Sequence, residues 1–424
     1  MKFALVNPPW DYAGSIYFGC RDGHLPLEFG YARALLTQAG HEVLLVDATL
    51  EGLDIAAVRA RVESFAPDLT VVTTAPTYLF WRCPPPELRV PLHACKALRD
   101  VSPRLIVVGP HGSTTPRVTL MKLPVDAVVM GECEEILPRL SDDWRMIMGL
   151  AWREKDRIVV QGGPQAAHFD DLPALTWEPR FLHNHHHHRF DEPYRGLGAE
   201  VEASRGCPYA CNFCAKENFR DKFRRRPIAT VLEEIDNLLA QGVSYVYFVD
   251  EIFLPNRELL EGLAQRPVQF GIQTRIDLWK PDLLDLLGHA GCVSIEAGIE
   301  SISELGRLLV NKQCKLDSGA LRDKLLYARR SVPFVQASLI DAGVDDATAV
   351  EAFRQSLLDH GVWVNKPIPM FPYPGSPGYT EIWGPPDDRA WERAHEHYLG
   401  QFSRFSDIQD ERPLPLAALE RVDP

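Results

Sequence analysis

The sequence predicts an α/β protein built from two parallel-sheet units, a doubly wound sheet followed by a partial six-stranded barrel, with a short helical region at the C-terminal end. Three observations predict it. Short β-branched runs alternate with helix-length segments of period 3.6 along most of the 424 residues. The alternation breaks once, between residues 146 and 198, where Pro, His and Asp accumulate. The second series holds six strand and helix units, too few for the eight of a closed barrel. A hydrophobic content of 46% with 24% charged residues is ordinary for an enzyme with a large core.

In the first unit, residues 1–145, Phe3 to Val6 reads as a strand and Leu27 to Gln38 as a helix ending at Gly40. His41 to Val46 is the next strand, Ile55 to Phe65 a helix, Leu69 to Thr73 a strand and Leu92 to Arg99 a helix. Leu105 to Val108 and Ala127 to Met130 complete the sheet. Ligands of such sheets bind beyond the carboxyl ends of the strands. The loops there are Asn7-Pro8-Pro9-Trp10, Asp47-Ala48-Thr49, Thr74 to Arg82, Gly109-Pro110-His111-Gly112 and Gly131-Glu132-Cys133-Glu134. His111 is expected to be a hydrogen-bonded loop residue rather than a ligand contact.

Residues 146–198 read as a connector, with a hairpin from Gly149 to Gln161 and a polar loop at His183-Asn184-His185-His186-His187-His188. In the second unit, residues 199–378, the helix Ile228 to Gln241 carries apolar residues at helical spacing and stops at Gly242. Strands follow at Tyr245 to Val249, Val268 to Gln273, Cys292 to Glu296, Phe334 to Leu339 and Val362 to Pro367. The helices between them include Pro281 to His289, Asp317 to Arg329 and Asp345 to Leu358. Residues 379–424 hold an amphipathic helix near Asp387 to Tyr398, expected to act as a cap.

Composition narrows the function. A net charge of -13 disfavours nucleic acid as a partner. The basic run Arg224-Arg225-Arg226 is local, and salt bridging is its expected role. Nine Cys, three of them in one motif and the rest scattered, show no disulfide framework and fit a reducing cytoplasm. No run approaches the length of a membrane span, and the N-terminal strand is too short for a signal sequence.

The chemistry centres on Ser204-Arg205-Gly206-Cys207-Pro208-Tyr209-Ala210-Cys211-Asn212-Phe213-Cys214. Cys207, Cys211 and Cys214, spaced C-x-x-x-C-x-x-C in a Gly- and Pro-marked loop, can ligate three irons of one cluster and leave a fourth open. A zinc knuckle or three unrelated thiols would be the alternatives, but no fourth Cys or His follows at short spacing. The loop resembles the signature of the radical S-adenosylmethionine (SAM) superfamily, down to Phe213 before the last Cys.

That resemblance implies a [4Fe-4S] cluster, SAM bound at its open iron, a small-molecule substrate and an electron donor such as flavodoxin, ferredoxin or a reductase. It places Asp250 and Glu251 at the SAM ammonium, Arg275 at its carboxylate, Glu296 and Glu300 near the ribose and Gln336 toward the adenine and substrate. Tyr209, Lys216 and Glu217 become candidates for acid or base work beside the loop.

The Asn-Pro-Pro start and the Gly-Pro-His and Gly-Glu-x-Glu loops give the first unit a resemblance to the Rossmann-like cobalamin-binding domain that precedes the barrel in one class of this superfamily. The histidine-on pattern D-x-H-x-x-G is absent, with Thr49 where His would stand. The bulky Tyr78-Leu79-Phe80-Trp81 either fills the corrin pocket or packs against a corrin face. Filling would imply loss of cobalamin and a likeness to the aminoglycoside-deoxygenating radical SAM diol dehydratases, which is the expectation carried forward. The alternatives are a cobalamin-dependent C-methyltransferase and a non-catalytic iron–sulfur protein.

Overall fold

The computed structural model describes all residues except 20, 78–81, 185–195, 217–221, 402–410 and 422–424. The Tyr78 to Trp81 segment, Glu217 and the His185 to His188 run therefore lie outside the described residues. Among the described residues no helix is long and apolar enough to cross a membrane.

The first unit runs β1 (Lys2–Asn7), α1 (Leu27–Gln38), β2 (Glu42–Asp47), α2 (Ile55–Phe65), β3 (Leu69–Thr73), α3 (Arg89–Leu98), β4 (Leu105–Val108), α4 (Pro110–Thr114), α5 (Pro116–Lys122) and β5 (Ala127–Val129). The hairpin β6 (Leu150–Glu154) and β7 (Arg157–Gln161) adds antiparallel to β5, so it extends this sheet instead of standing apart as a connector. The order is β2-β1-β3-β4-β5-β6-β7, parallel through β5. The central strands β3, β4 and β5 are buried at every residue, as expected where helices cover both faces.

The second sheet begins at β8 (His183–Asn184) and β9 (Leu197–Val201). The short pair β10 (Ser204–Arg205) and β11 (Arg224–Arg225) brackets the cysteine loop. Then come α6 (Ile228–Ala240), β12 (Val243–Phe248), α7 (Arg257–Leu263), β13 (Gln269–Thr274), α8 (Pro281–His289), β14 (Cys292–Glu300), α9 (Glu304–Leu309) and α10 (Ser318–Ser331). β15 (Phe334–Asp341), α11 (Ala347–Leu358), β16 (Trp363–Val364) and β17 (Ile368–Pro369) close the series. The order β16-β15-β14-β13-β12-β9-β8 is open and sequential, parallel from β16 to β9. This is the partial barrel predicted from the count of units. The last predicted strand is split in two, and β14 runs four residues beyond Glu296, its register shifting between Gly298 and Glu300.

The chain ends with α12 (Pro377–Trp383), α13 (Ala390–Gln401) and α14 (Leu416–Leu419). α13 contributes Trp391, Ala394 and Tyr398 to a core shared with Ile16 of the first unit and Phe371 and Tyr373 of the second. It wedges between the units at the strand ends of the first sheet.

Candidate active site

Cys207, Cys211 and Cys214 line one cavity of about 330 Å³ at the carboxyl ends of the barrel strands. The loop that carries them is fixed on several sides. Gly206, with φ +75°, supplies a left-handed turn before the first Cys, and its N–H donates to Glu251 Oε2 at 2.7 Å. Asn212 N donates to the Val310 carbonyl, Asn311 Nδ2 to the Ala210 carbonyl at 2.6 Å, and Gly378 N to the Asn212 carbonyl at 2.7 Å. Burial pushes all three thiols above their ordinary range, Cys214 to about 12. Thiolates here need compensating positive charge, which iron provides.

Around the thiols the same cavity is lined by Glu251, Gln273, Arg275, Glu296, Glu300 and Lys312. Arg275 is 5% exposed and its Nε and Nη2 hold Asp277 at 3.2 and 2.9 Å. Its Nη1 is buried without a hydrogen-bond partner. Tyr209 stacks beneath this guanidinium, 3.9 Å from ring centroid to Cζ. Glu300 accepts from Lys312 Nζ at 2.9 Å and holds φ +69°, an uncommon conformation for a residue with a Cβ and one that clusters at functional sites.

Several expected residues sit elsewhere. Asp250 turns away from the cavity and accepts from Ala203 N at 2.8 Å and from the Ser204 hydroxyl, so it anchors the approach to the cysteine loop. Its burial raises its pKa to about 7. Lys216 Nζ donates to the Cys207 carbonyl at 2.6 Å, which uses it to brace the loop. Gln336 donates to Ser338 Oγ at 3.4 Å, and Ser338 rather than Gln336 lines the cavity. Phe213 lies on the cavity wall.

Lys312, Ser338, Arg82, Cys83 and Tyr373 line the cavity without having been singled out from the sequence. Arg82 arrives from the first unit and donates to the Glu251 carbonyl at 3.0 Å. The two units are also tied by Arg205, fully buried, which reaches Glu202 at 2.8 Å, Glu132 at 3.1 Å and Glu134 at 2.7 Å. Of the basic run, Arg224 pairs with Glu132 and Arg226 with Glu234.

Residues 201–345 match the radical SAM superfamily. The chain carries a radical SAM domain. The matched segment spans the cysteine loop and β9 through β15, so the thiols and most of the cavity wall fall inside it. Structural comparison extends the likeness over both units. The radical SAM methyltransferase TsrM from Kitasatospora setae, solved with cobalamin and a [4Fe-4S] cluster, aligns with a TM-score of 0.67 at 18% identity, covering 90% of this chain and 74% of that one. OxsB, a cobalamin-dependent SAM radical enzyme, aligns at 0.67 and 17% identity, covering 92% and 63%. The first unit therefore has the fold of the cobalamin-binding domain in these proteins.

Among sequences, an uncharacterized methyltransferase of Pyrococcus horikoshii is 25% identical over 72% of this chain and 66% of its own length. The anaerobic magnesium-protoporphyrin IX monomethyl ester cyclase of Cereibacter sphaeroides is 27% identical over 82% and 58%. The chain thus spans roughly three fifths to two thirds of these relatives.

The residues fit a cluster and SAM. Three thiols face a cavity that also offers an unpartnered buried guanidinium nitrogen, an arrangement suited to an amino acid carboxylate. A corrin requires open space at the strand ends of the first sheet, and among the described residues the loops at Asn7, Asp47, Gly109 and Gly131 are engaged by protein, while Arg82 and Cys83 face the cavity. Asn7 bonds Asp47 at 2.7 Å and takes the Trp10 indole N–H at 2.7 Å. At Gly109, φ +131°, Thr74 Oγ1 occupies the place of a Cβ. Glu132 and Glu134 are held by Arg205.

His111, expected to be hydrogen-bonded, is 1% exposed with neither ring nitrogen partnered, and it stacks on Trp391 of α13 at 4.4 Å between centroids. Burial holds its pKa down at about 3, so it is neutral. Trp391 Nε1 completes the closure by donating to Thr115 Oγ1 at 3.1 Å.

Proposed function

We propose that this protein reductively cleaves SAM at a cluster ligated by Cys207, Cys211 and Cys214 and takes a hydrogen atom from a carbon of a small molecule. The observation that carries this reading is the single cavity in which the three thiols meet the free Nη1 of Arg275. When bound, the cluster supplies the electron that splits the sulfonium bond.

The protein's own part is placement. Arg275 Nη1 takes the SAM carboxylate while Asp277 locks the rest of the fork, and Tyr209 supports the guanidinium face. Glu251, which also clamps Gly206, takes the ammonium. Glu296, Glu300 and Ser338 offer oxygens to the ribose, with Lys312 setting the Glu300 rotamer. Phe213 walls the nucleoside side. The barrel below, Arg82 above and Tyr373, backed by α13, keep water from the radical, a requirement of the chemistry. A small-molecule substrate and an external electron donor complete the reaction.

Kinship bears on the outcome. Methyltransferase names recur among the relatives, including the Pyrococcus horikoshii protein and the cytidylyl-2-hydroxyethylphosphonate methyltransferase of Streptomyces wedmorensis, and they favour methyl transfer over the dehydration expected from the sequence. The closed His111–Trp391 edge favours the second reading, dehydration of a sugar-like substrate without a corrin.

The discriminating experiment is anaerobic purification with hydroxocobalamin, followed by a visible spectrum after desalting. A stoichiometric corrin band supports methyl transfer and removes the dehydration reading. Its absence, with SAM cleavage intact, supports dehydration.

A further inference from the structure

Away from the cavity, three side chains from three segments converge at the edge of the barrel sheet. His24 precedes α1 in the first unit, His183 lies on β8, and Glu200 lies on β9. One donor atom from each lies within 4.8 Å of the others. His24 is 4% exposed and Glu200 fully buried.

We propose that His24, His183 and Glu200 bind a divalent transition-metal ion, such as zinc, at the junction of the two units. Two imidazoles and a carboxylate form a donor set used by zinc, with a fourth position left for water. The surrounding bonds are those of a metal site. His183 Nδ1 faces the Phe181 carbonyl at 3.3 Å, which orients the ring. Glu200 Oε2 accepts from Leu25 N at 2.9 Å, which fixes the carboxylate on the side away from the imidazoles.

Without metal, Oε1 bonds His24 Nδ1 at 2.7 Å. Ligands about 2.0–2.2 Å from a tetrahedral zinc stand about 3.3 Å apart. His24 and Glu200 therefore open by roughly 0.6 Å and His183 swings inward, movements that side-chain rotation supplies. The cysteine loop begins just past the strand that carries Glu200, so a metal here would tie the first unit to the strand that leads into it.

The test uses full-length protein with its cluster reconstituted, incubated with zinc chloride and desalted. Zinc, iron and sulfide are then measured together. One zinc per chain is expected, falling at least ~10-fold in Glu200→Gln and in His183→Gln, whose parent side chain is only partly buried, with iron and sulfide unchanged. Zinc K-edge absorption of the wild type should show nitrogen and oxygen ligands only. Wild-type protein without zinc, variants that keep it, or sulfur ligation marking zinc at the cysteines, would each overturn the proposal.

Discussion

Replacing Arg275 with Met asks whether the unpartnered nitrogen in the cavity serves SAM. The side chain is 5% exposed, and Asp277 holds its Nε and Nη2, leaving Nη1 without a partner to meet an incoming carboxylate. A charge-assisted hydrogen bond of this kind is worth about 2–3 kcal/mol. Arg275→Met also leaves the Asp277 carboxylate facing the ligand carboxylate, which adds repulsion. SAM affinity should therefore fall roughly 30- to 150-fold. Equilibrium dialysis of labelled SAM against cluster-reconstituted protein measures it, with iron and sulfide content showing that the cluster is retained. An affinity within about threefold of wild type, at full iron content, would refute the assignment of Arg275.

Other substitutions test the rest of the account. Arg205→Met leaves Glu132, Glu134 and Glu202 buried without their shared counter-charge, and should cost about 3–5 kcal/mol in urea unfolding. Glu251→Gln should weaken SAM binding with the cluster kept, whereas Asp250→Asn, which loosens the Ser204 and Ala203 anchors, should reduce iron retention first; the reverse pattern would exchange their roles. His111 has a folded pKa of about 3, below its unfolded value, so its contribution is present above pH ~6.5 and lost as pH falls. Wild type should lose about 2 kcal/mol from this group between pH 7 and pH 5, and His111→Phe, which preserves stacking on Trp391, should abolish that part of the pH dependence.

The order of elements was legible because apolar period and turn residues are local signals. α2, β3, β4 and α8 have the predicted bounds for that reason. The site was legible where a motif fixes spacing, as for the three Cys. It was not legible where facing decides. Asp250 and Glu251 are adjacent carboxylates, and only the direction in which the chain leaves β12 sends one to the loop backbone and the other to the cavity. Lys312 and Arg82 come from irregular segments whose position depends on packing at long sequence separation, and no periodicity marks them. The Gly131-Glu132-Cys133-Glu134 loop read as ligand-facing because strand ends in such sheets bind ligands. Here its carboxylates serve Arg205, a partner 71 to 73 residues onward that no local pattern could supply.

The proposed chemistry requires one iron left free of protein thiolate so that SAM can dock and be split there. Anaerobic incubation of the reconstituted protein with dithionite and SAM, followed by chromatography for 5'-deoxyadenosine and methionine, tests it directly. Both products should form, and neither should form after Cys211→Ala. Protein that holds a full complement of iron and sulfide yet yields no 5'-deoxyadenosine and shows no change in the electron paramagnetic resonance of its reduced cluster on adding SAM would contradict the account.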